Sequence, residues 1–224
     1  MRRILPIAVA ACLLLPAAAV QAAKPPTHPA PVLTLSASPS TVTFGQPASL
    51  SGRLTGGSKS DAGVTITIQA DTAPIDGHYA NVATAVTDTT GNWHAAVVPT
   101  ALTRYRAQAK SKPAATSPTA DVKVRLKVTA KVSRHTVHKG GRVRFSGTAA
   151  PPHDGALVKI QRRTATGGWH TVAHTTLQHS TTPGVSTYAK KVRITKSGTY
   201  RVRVFPGDTD HLRGTSAKKK LKVA

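Results

Sequence analysis

The sequence predicts an all-β protein of two tandem β-sandwiches, and three observations predict it. One framework pattern occurs twice, about 95 residues apart. Within each copy the apolar residues recur at every second position, which is the period of a half-buried strand. No stretch beyond the first 22 residues keeps helical periodicity for three turns. A repeat of this length is a domain-sized unit, because solenoid repeats have periods of about 20–50 residues.

The chain opens with Arg2 and Arg3, followed by an apolar run from Ile4 to Val20 broken only by Pro6, Cys12 and Pro16. Val20-Gln21-Ala22 then offers a signal-peptidase site, so residues 1–22 are expected to be a signal peptide cut after Ala22. Val9-Ala10-Ala11-Cys12 has the residue types of a lipidated cysteine, but the apolar run continues well past it. Cys12 therefore reads as a small hydrophobe of the leader. The run is short for a bilayer span and nothing later is long or apolar enough, so no membrane span is expected after cleavage. Residues 23–31, rich in Pro and Ala, read as an exposed spacer.

The first copy is expected at residues 32–124 and the second at 126–224. Val42-Thr43-Phe44-Gly45 leads into Ala48-Ser49-Leu50-Ser51-Gly52, and Val137-His138-Lys139-Gly140 leads into Val143-Arg144-Phe145-Ser146-Gly147, at an offset of 95. Gly63 to Gln69 is echoed by Gly155 to Gln161 at an offset of 92, and Gly77, Tyr79 and Val82 by Gly167, Trp169 and Val172 at 90. The offset returns to 95 for Trp93 against Tyr188 and for Arg104-Tyr105-Arg106 against Thr199-Tyr200-Arg201. Thr116, Ser117, Val122 and Val124 match Thr215, Ser216, Leu221 and Val223. Such small changes of offset are what loop insertions leave behind.

In each copy Val64, Ile66 and Ile68, Val158 and Ile160, and Tyr200, Val202 and Val204 alternate with polar residues. Turn sequences such as Thr89-Thr90-Gly91-Asn92 and Thr195-Lys196-Ser197-Gly198 separate the runs. Six or seven short strands per copy imply a two-sheet sandwich. Trp93 and Tyr188 read as equivalent core positions. Tyr105 and Tyr200 open the penultimate strands, where a tyrosine hydroxyl caps nearby backbone.

Each half resembles the bacterial immunoglobulin-like domains of secreted and surface-anchored actinobacterial proteins. The resemblance is carried by Gly140 to Gly147, by Gly155 to Arg162, by Gly168-Trp169, by Thr199 to Val204, and by Leu212 to Ser216 before the last strand. The second half matches closely and the first more loosely. These are framework positions, so the resemblance implies a fold and an extracellular location. With no sorting motif or C-terminal apolar tail in the sequence, the expectation is a secreted or non-covalently surface-associated protein. The resemblance assigns no binding or catalytic residue.

Composition narrows the chemistry. The only cysteine lies in the leader, so the mature chain has no disulfide, thiolate nucleophile or cysteine-ligated metal. It has no Glu, and the second half has only Asp154, Asp208 and Asp210 as acids. No Gly-x-Ser-x-Gly, His-Glu-x-x-His or phosphate-binding glycine loop occurs, so neither an enzyme nor a bound cofactor is expected. His170 and His174 would share a strand face about 13 Å apart, too far for one ion without a sharp turn. With His179 they read as solvent-facing positions, and His135 and His138 fall on opposite faces. Asp208 and Asp210 form a short Asp-x-Asp that fits a calcium ligand pair and equally an Asx turn. Trp169, the counterpart of Tyr79, would stack on a sugar if exposed; packing against the framework is the expected role.

Charge is the remaining signal. The chain has 31 Lys and Arg against 8 acids. Residues 32–124 hold seven basic and five acidic residues, net +2, whereas residues 126–224 hold twenty and three, net +17. The basic side chains alternate with apolar ones: Lys159, Arg162 and Arg163; Lys191 and Arg193; Arg201 and Arg203; and Lys218, Lys219, Lys220 and Lys222. Basic sheet faces keep edge strands from aggregating. A field of this size also attracts polyanions. The expected partners are an anionic cell-wall polymer, an acidic glycan or a surface protein. A specific protein- or carbohydrate-binding module using sandwich-end loops is the alternative. Nucleic acid is disfavoured as a biological partner by the leader and the shortage of free aromatics.

Overall fold

Alternating apolar residues fold as strands throughout the described part of the chain, which in this computed structural model is residues 29–56 and 61–224. The signal peptide expected at residues 1–22, Cys12 included, and residues 23–28 of the spacer lie outside the described residues. Among the described residues no helix is long and apolar enough to cross a membrane.

The first half comprises β1 (Val32–Leu33), β2 (Ser36–Ser38), β3 (Thr41–Thr43), β4 (Ala48–Thr55), β5 (Thr65–Thr72), β6 (Ala80–Val86), β7 (Asn92–Val97), β8 (Thr103–Ala109), β9 (Ala115–Thr116) and β10 (Ala120–Arg125). The second comprises β11 (Lys127–Val128), β12 (Lys131–Val132), β13 (Thr136–Val137), β14 (Arg142–Ala150), β15 (Leu157–Arg163), β16 (Trp169–Thr176), β17 (Ser186–Arg193), β18 (Gly198–Phe205), β19 (His211–Leu212), β20 (Gly214–Thr215) and β21 (Lys219–Val223). The segments outnumber the six or seven strands expected per copy because the first and last strands are each broken into short pieces.

Pairing repeats from half to half. In the first half β4 pairs with β1, β2 and β7, while β10, β8, β5 and β6 follow one another in a second sheet that β3 joins in parallel through β10. In the second half β14 pairs with β11, β12 and β17, and β21, β18, β15 and β16 follow one another, with β13 parallel to β21. The two sheets of each half face each other across a core. Leu50 and Trp93 meet Ile66, Ile68, Tyr105 and Val122 in the first. Phe145, Tyr188 and Val143 meet Val158, Ile160, Tyr200 and Val202 in the second. The chain is thus all-β, in a tandem sandwich-like arrangement.

The matched residues repeat their contacts. Both β5–β6 and β15–β16 shift register at one place, Ile68/Gln69 and Ile160/Gln161. The Ser117 and Ser216 hydroxyls accept the Ala107 and Val202 amides at 2.9 and 3.0 Å. A Cβ on Gly52 would strike the Thr34 backbone and the Trp93 ring, and one on Gly147 the Thr129 backbone and the Tyr188 hydroxyl. Glycine is required there so that a neighbouring strand end can lie against the sheet beneath an aromatic side chain. Trp93 and Tyr188 are both 2% exposed, as expected of core positions. The Tyr188 hydroxyl donates to Thr129 O at 2.8 Å, and Tyr200 caps Lys196 O at 2.7 Å.

The halves meet without a linker. β10 ends at Arg125, Leu126 is buried in the second core, and β11 begins at Lys127. β19, from the second half, pairs in parallel with β10, Val124 opposite His211 and Arg125 opposite Leu212. The Leu102 amide donates to Asp210 O and the Leu126 amide to Leu212 O, at 2.9 and 3.0 Å.

Candidate functional site

Strand alternation decides where the charge of the second half goes. Val143 and Val192 point into the core, so their neighbours Arg142, Arg144, Lys191 and Arg193 stand on the outer face of the β14–β17 pair, all exposed. Val158, Ile160, Val202 and Val204 are likewise buried, which places Lys159, Arg163, Arg201 and Arg203 on the outer face of the opposite sheet. Lys220 and Lys222 extend that face along β21, and Lys218 is exposed just before it. Arg162 and Lys219 differ: both lie directly across from the inward-facing Tyr200, at the end of the sandwich. Arg142, Arg144 and Lys190 were not among the sequence candidates, although Arg142-Val143-Arg144-Phe145 carries the same alternation.

Register adds what alternation alone does not give. Arg142 stands directly opposite Arg193, Arg144 opposite Lys191, and Lys159 opposite Arg203. Like charges directly across an antiparallel pair are destabilising. The equivalent pairs in the first half are Ser49 opposite Ala96 and Thr67 opposite Gln108. Where the first half sets Asp121 opposite Arg104, the second sets Lys220 opposite Thr199.

The three acids of the second half have other partners. Asp154, Asp208 and Asp210 all lie in loops, where their partners are Ser186 and His179, His153 and His211, and Thr209. Among the described residues no Lys or Arg of the second half forms an ion pair with a carboxylate. Partial burial and the neighbouring Arg213 and Arg125 push the Arg203 guanidinium below its ordinary range, and partial burial and Arg203 do the same to Arg201. The Arg203 Nε is buried without a hydrogen-bond partner.

Aromatic rings take up part of the field. The Arg201 guanidinium lies 3.9 Å from the centre of the Trp169 ring and donates to Gln161 at 2.9 Å. Arg106 treats Tyr79 and Gln69 in the same way, at 3.9 and 2.7 Å. One face of Trp169 is therefore covered by its own neighbour. Lys159 and Arg203 both approach Phe205, at 4.9 and 5.5 Å. A groove of about 650 Å³ runs beside the β14–β17 face, with Lys131, Arg144, Ser146, Thr148, Gln178 and Thr187 among its walls.

The acid-bearing loops show different chemistry. Asp154 sits between the Ser186 hydroxyl and His179 Nδ1, so the carboxylate occupies the central place that a nucleophilic triad gives to histidine. Ser186 is also fully buried. Its hydroxyl and His179 together hold Asp154 below the usual carboxylate range. His170 and His174 are exposed on β16, and His135 Nδ1 meets Lys220 O at 3.0 Å.

Asp208 is drawn toward histidines. Its Oδ1 accepts the Asp210 and His211 amides at 3.2 and 2.9 Å, closing an Asx-type turn. Its Oδ2 lies 2.8 Å from His153 Nε2 and 3.2 Å from His211 Nδ1. Burial pushes its pKa up, but the His211 amide and the two histidine side chains together outweigh burial and leave it below the usual carboxylate range. His153 and His211 escaped the sequence reading because they are far apart in the chain. The usable signal was that Pro152-His153-Asp154 and Asp208 to His211 follow strands ending at the same end of a sandwich.

No family model matches the chain, and no curated protein matches it. Among solved structures it is similar to a tetra-tandem repeat in the extending region of a large adhesion protein, at 20% identity over 86% of this chain and 50% of that one, with a TM-score of 0.39. It is also similar to red sea bream transglutaminase, at 11% identity over 86% of this chain and 31% of that one, with a TM-score of 0.40. The chain spans 50% of the length of the first and 31% of the second. Similarities at this level carry no functional inference.

Proposed function

We propose that the chain is a non-enzymatic, secreted or surface-associated protein of two immunoglobulin-like domains, residues 32–124 and 126–224, whose second domain attaches to polyanions. The partner is an anionic cell-wall polymer or an acidic glycan. The observation that carries the reading is the set of like-charge cross-strand pairs, Arg142–Arg193, Arg144–Lys191 and Lys159–Arg203, at or beside registers where the first half is neutral. Each pair costs stability in the free protein. A bound polyanion reverses that sign, because the same opposed cations then share an anionic strand and release its counterions. Charge on both outer faces gives a sleeve of positive potential rather than one shaped pocket, and so weak selectivity.

The test is binding of the mature chain to purified anionic wall polymer from low to high salt. Binding is expected to weaken steeply as salt rises, with a smaller slope once Arg142, Arg144, Lys191 and Arg193 are replaced by Ser. No binding at low salt would refute polyanion attachment. Saturable binding that ignores salt and the four replacements would favour a specific adhesion module using the end loops.

A further inference from the structure

His153 and His211 each hold one ring nitrogen on a backbone carbonyl and turn the other toward Asp208. His153 Nδ1 lies 2.9 Å from Pro151 O, and His211 Nε2 lies 3.0 Å from Thr100 O. A carbonyl oxygen can only accept, so both of these nitrogens carry protons. A neutral imidazole has one N–H, which leaves His153 Nε2 and His211 Nδ1 as lone pairs. Both lone pairs face the same carboxylate oxygen, Asp208 Oδ2. Three such atoms converging on one point are held together by a shared proton or by a metal ion, and two imidazole nitrogens with a carboxylate oxygen are a metal-ligand set. The two rings are held edge to face with centroids 4.7 Å apart, and both side chains are about nine-tenths buried, at 10% and 11% exposure.

We propose that His153 Nε2, His211 Nδ1 and Asp208 Oδ2 are the protein ligands of a zinc ion. The three atoms lie within 4.8 Å of one another. Zinc bonds of about 2.0–2.1 Å in a tetrahedron set its ligands about 3.3 Å apart, so the 2.8 and 3.2 Å separations need to open by only a few tenths of an ångström. Two imidazoles and one carboxylate are a borderline donor set that suits zinc, whereas calcium takes six to eight oxygens. Each ring also donates its other N–H to a backbone carbonyl, which is how metal-bound histidines are oriented. A fourth position is left for water.

The location gives the site a consequence. Ligand His211 begins β19, the strand paired with β10, and its ring is tied to Thr100 of the first half. The ion therefore fastens the loop through which the two halves are joined. This inference does not depend on polyanion attachment.

The test is calorimetric titration of zinc chloride into metal-free mature chain at neutral pH and physiological salt, with histidine-ring NMR in parallel. One zinc per chain is expected. His153→Gln or His211→Gln should weaken binding by more than about 100-fold, the upper end of what losing an outer-shell partner costs. Replacing His170, His174 and His179 together with Gln should leave it unchanged. The unmodified chain supplies a reading that no variant's folding can confuse: zinc should shift Nε2 of His153 and Nδ1 of His211, opposite nitrogens of the two rings. Amide exchange at Leu102 and Leu126, bonded to Asp210 O and Leu212 O, should slow. Absence of saturable binding, binding lost only in the triple variant, or ring nitrogens unmoved by zinc would each overturn the site. Unchanged exchange at both amides would overturn the fastening role.

Discussion

The two halves are most alike where side chains point inward and least alike where they point out. Gly52 and Gly147, and Ser117 and Ser216, repeat both residue and contact. On the outer face only the Gln–Arg–aromatic contact of Gln69, Arg106 and Tyr79 is kept, by Gln161 and Arg201 with Trp169 in place of Tyr79. On the outer faces Ser49, Ala96, Thr67 and Gln108 become Arg144, Lys191, Lys159 and Arg203. Inward positions are constrained by close packing, so duplication preserves them. Outward positions are free to change as long as their net cost stays small against a total stability of about 5–15 kcal/mol. Placing cations in opposed pairs uses up part of that margin. A surface needed only for solubility would mix signs instead.

The largest expected effect breaks what the halves share. Gly52→Ala and Gly147→Ala each force a methyl group into the backbone of Thr34 or Thr129, and each should cost about 3 kcal/mol, the upper end of overpacking, because the nearest obstacle is backbone and not a movable side chain. Gly155→Ala meets nothing within 4 Å and carries only the strain of its φ of 81°, about 1–2 kcal/mol. Chemical denaturation of the three variants checks the order. Equal losses at Gly147 and Gly155 would mean that the close approach is not what selects glycine.

Next comes the charge that separates them. Arg144→Ser with Lys159→Ser removes two opposed pairs and should stabilise the second half by about 0.4–2 kcal/mol, at about 0.2–1 kcal/mol per pair, while weakening polyanion binding. Added salt should do the same to the unmodified chain, since the screening length falls from about 10 Å at 0.1 M to about 3 Å at 1 M. Hydrogen exchange resolved by residue should show salt protecting β14, β15 and β18 more than β4, β5 and β8. Equal protection would remove the electrostatic cost on which the comparison rests.

Part of this contrast between the halves was legible in the sequence. The repeat, the alternation and the inward aromatics could be read directly, because each depends on residues close in the chain or at a fixed offset. That Arg144 faces Lys191 could not, because it depends on strand register. Nor could the meeting of His153 with Asp208 and His211, which follow different strands and come together only through β14, β15 and β18. Arg162 and Lys219 show the limit of alternation: near strand ends a long cation takes an inward register and reaches solvent at the rim.

The smallest effect sharpens the comparison through the first half's own ion pair. Arg104 donates through Nε and Nη2 to the two carboxylate oxygens of Asp121, at 2.8 and 3.0 Å, with both side chains 40% exposed. The hydrogen bond to Arg104 holds Asp121 below the usual carboxylate range. A lowered carboxylate stabilises the fold above its unfolded value of about 3.9 and loses that contribution as pH falls through its folded value. Asp121→Asn should therefore cost the first half about 0.2–1 kcal/mol at neutral pH, the range for exposed pairs, and nothing once the native carboxyl is protonated. The reciprocal transplant, Thr199→Arg with Lys220→Asp, places the same pair at the same register of β18 and β21. It should gain about as much at neutral pH and fade over the same acidic interval. A transplant that gains nothing would show that the surrounding field of Arg and Lys, not the local pair, sets the electrostatics of the second half.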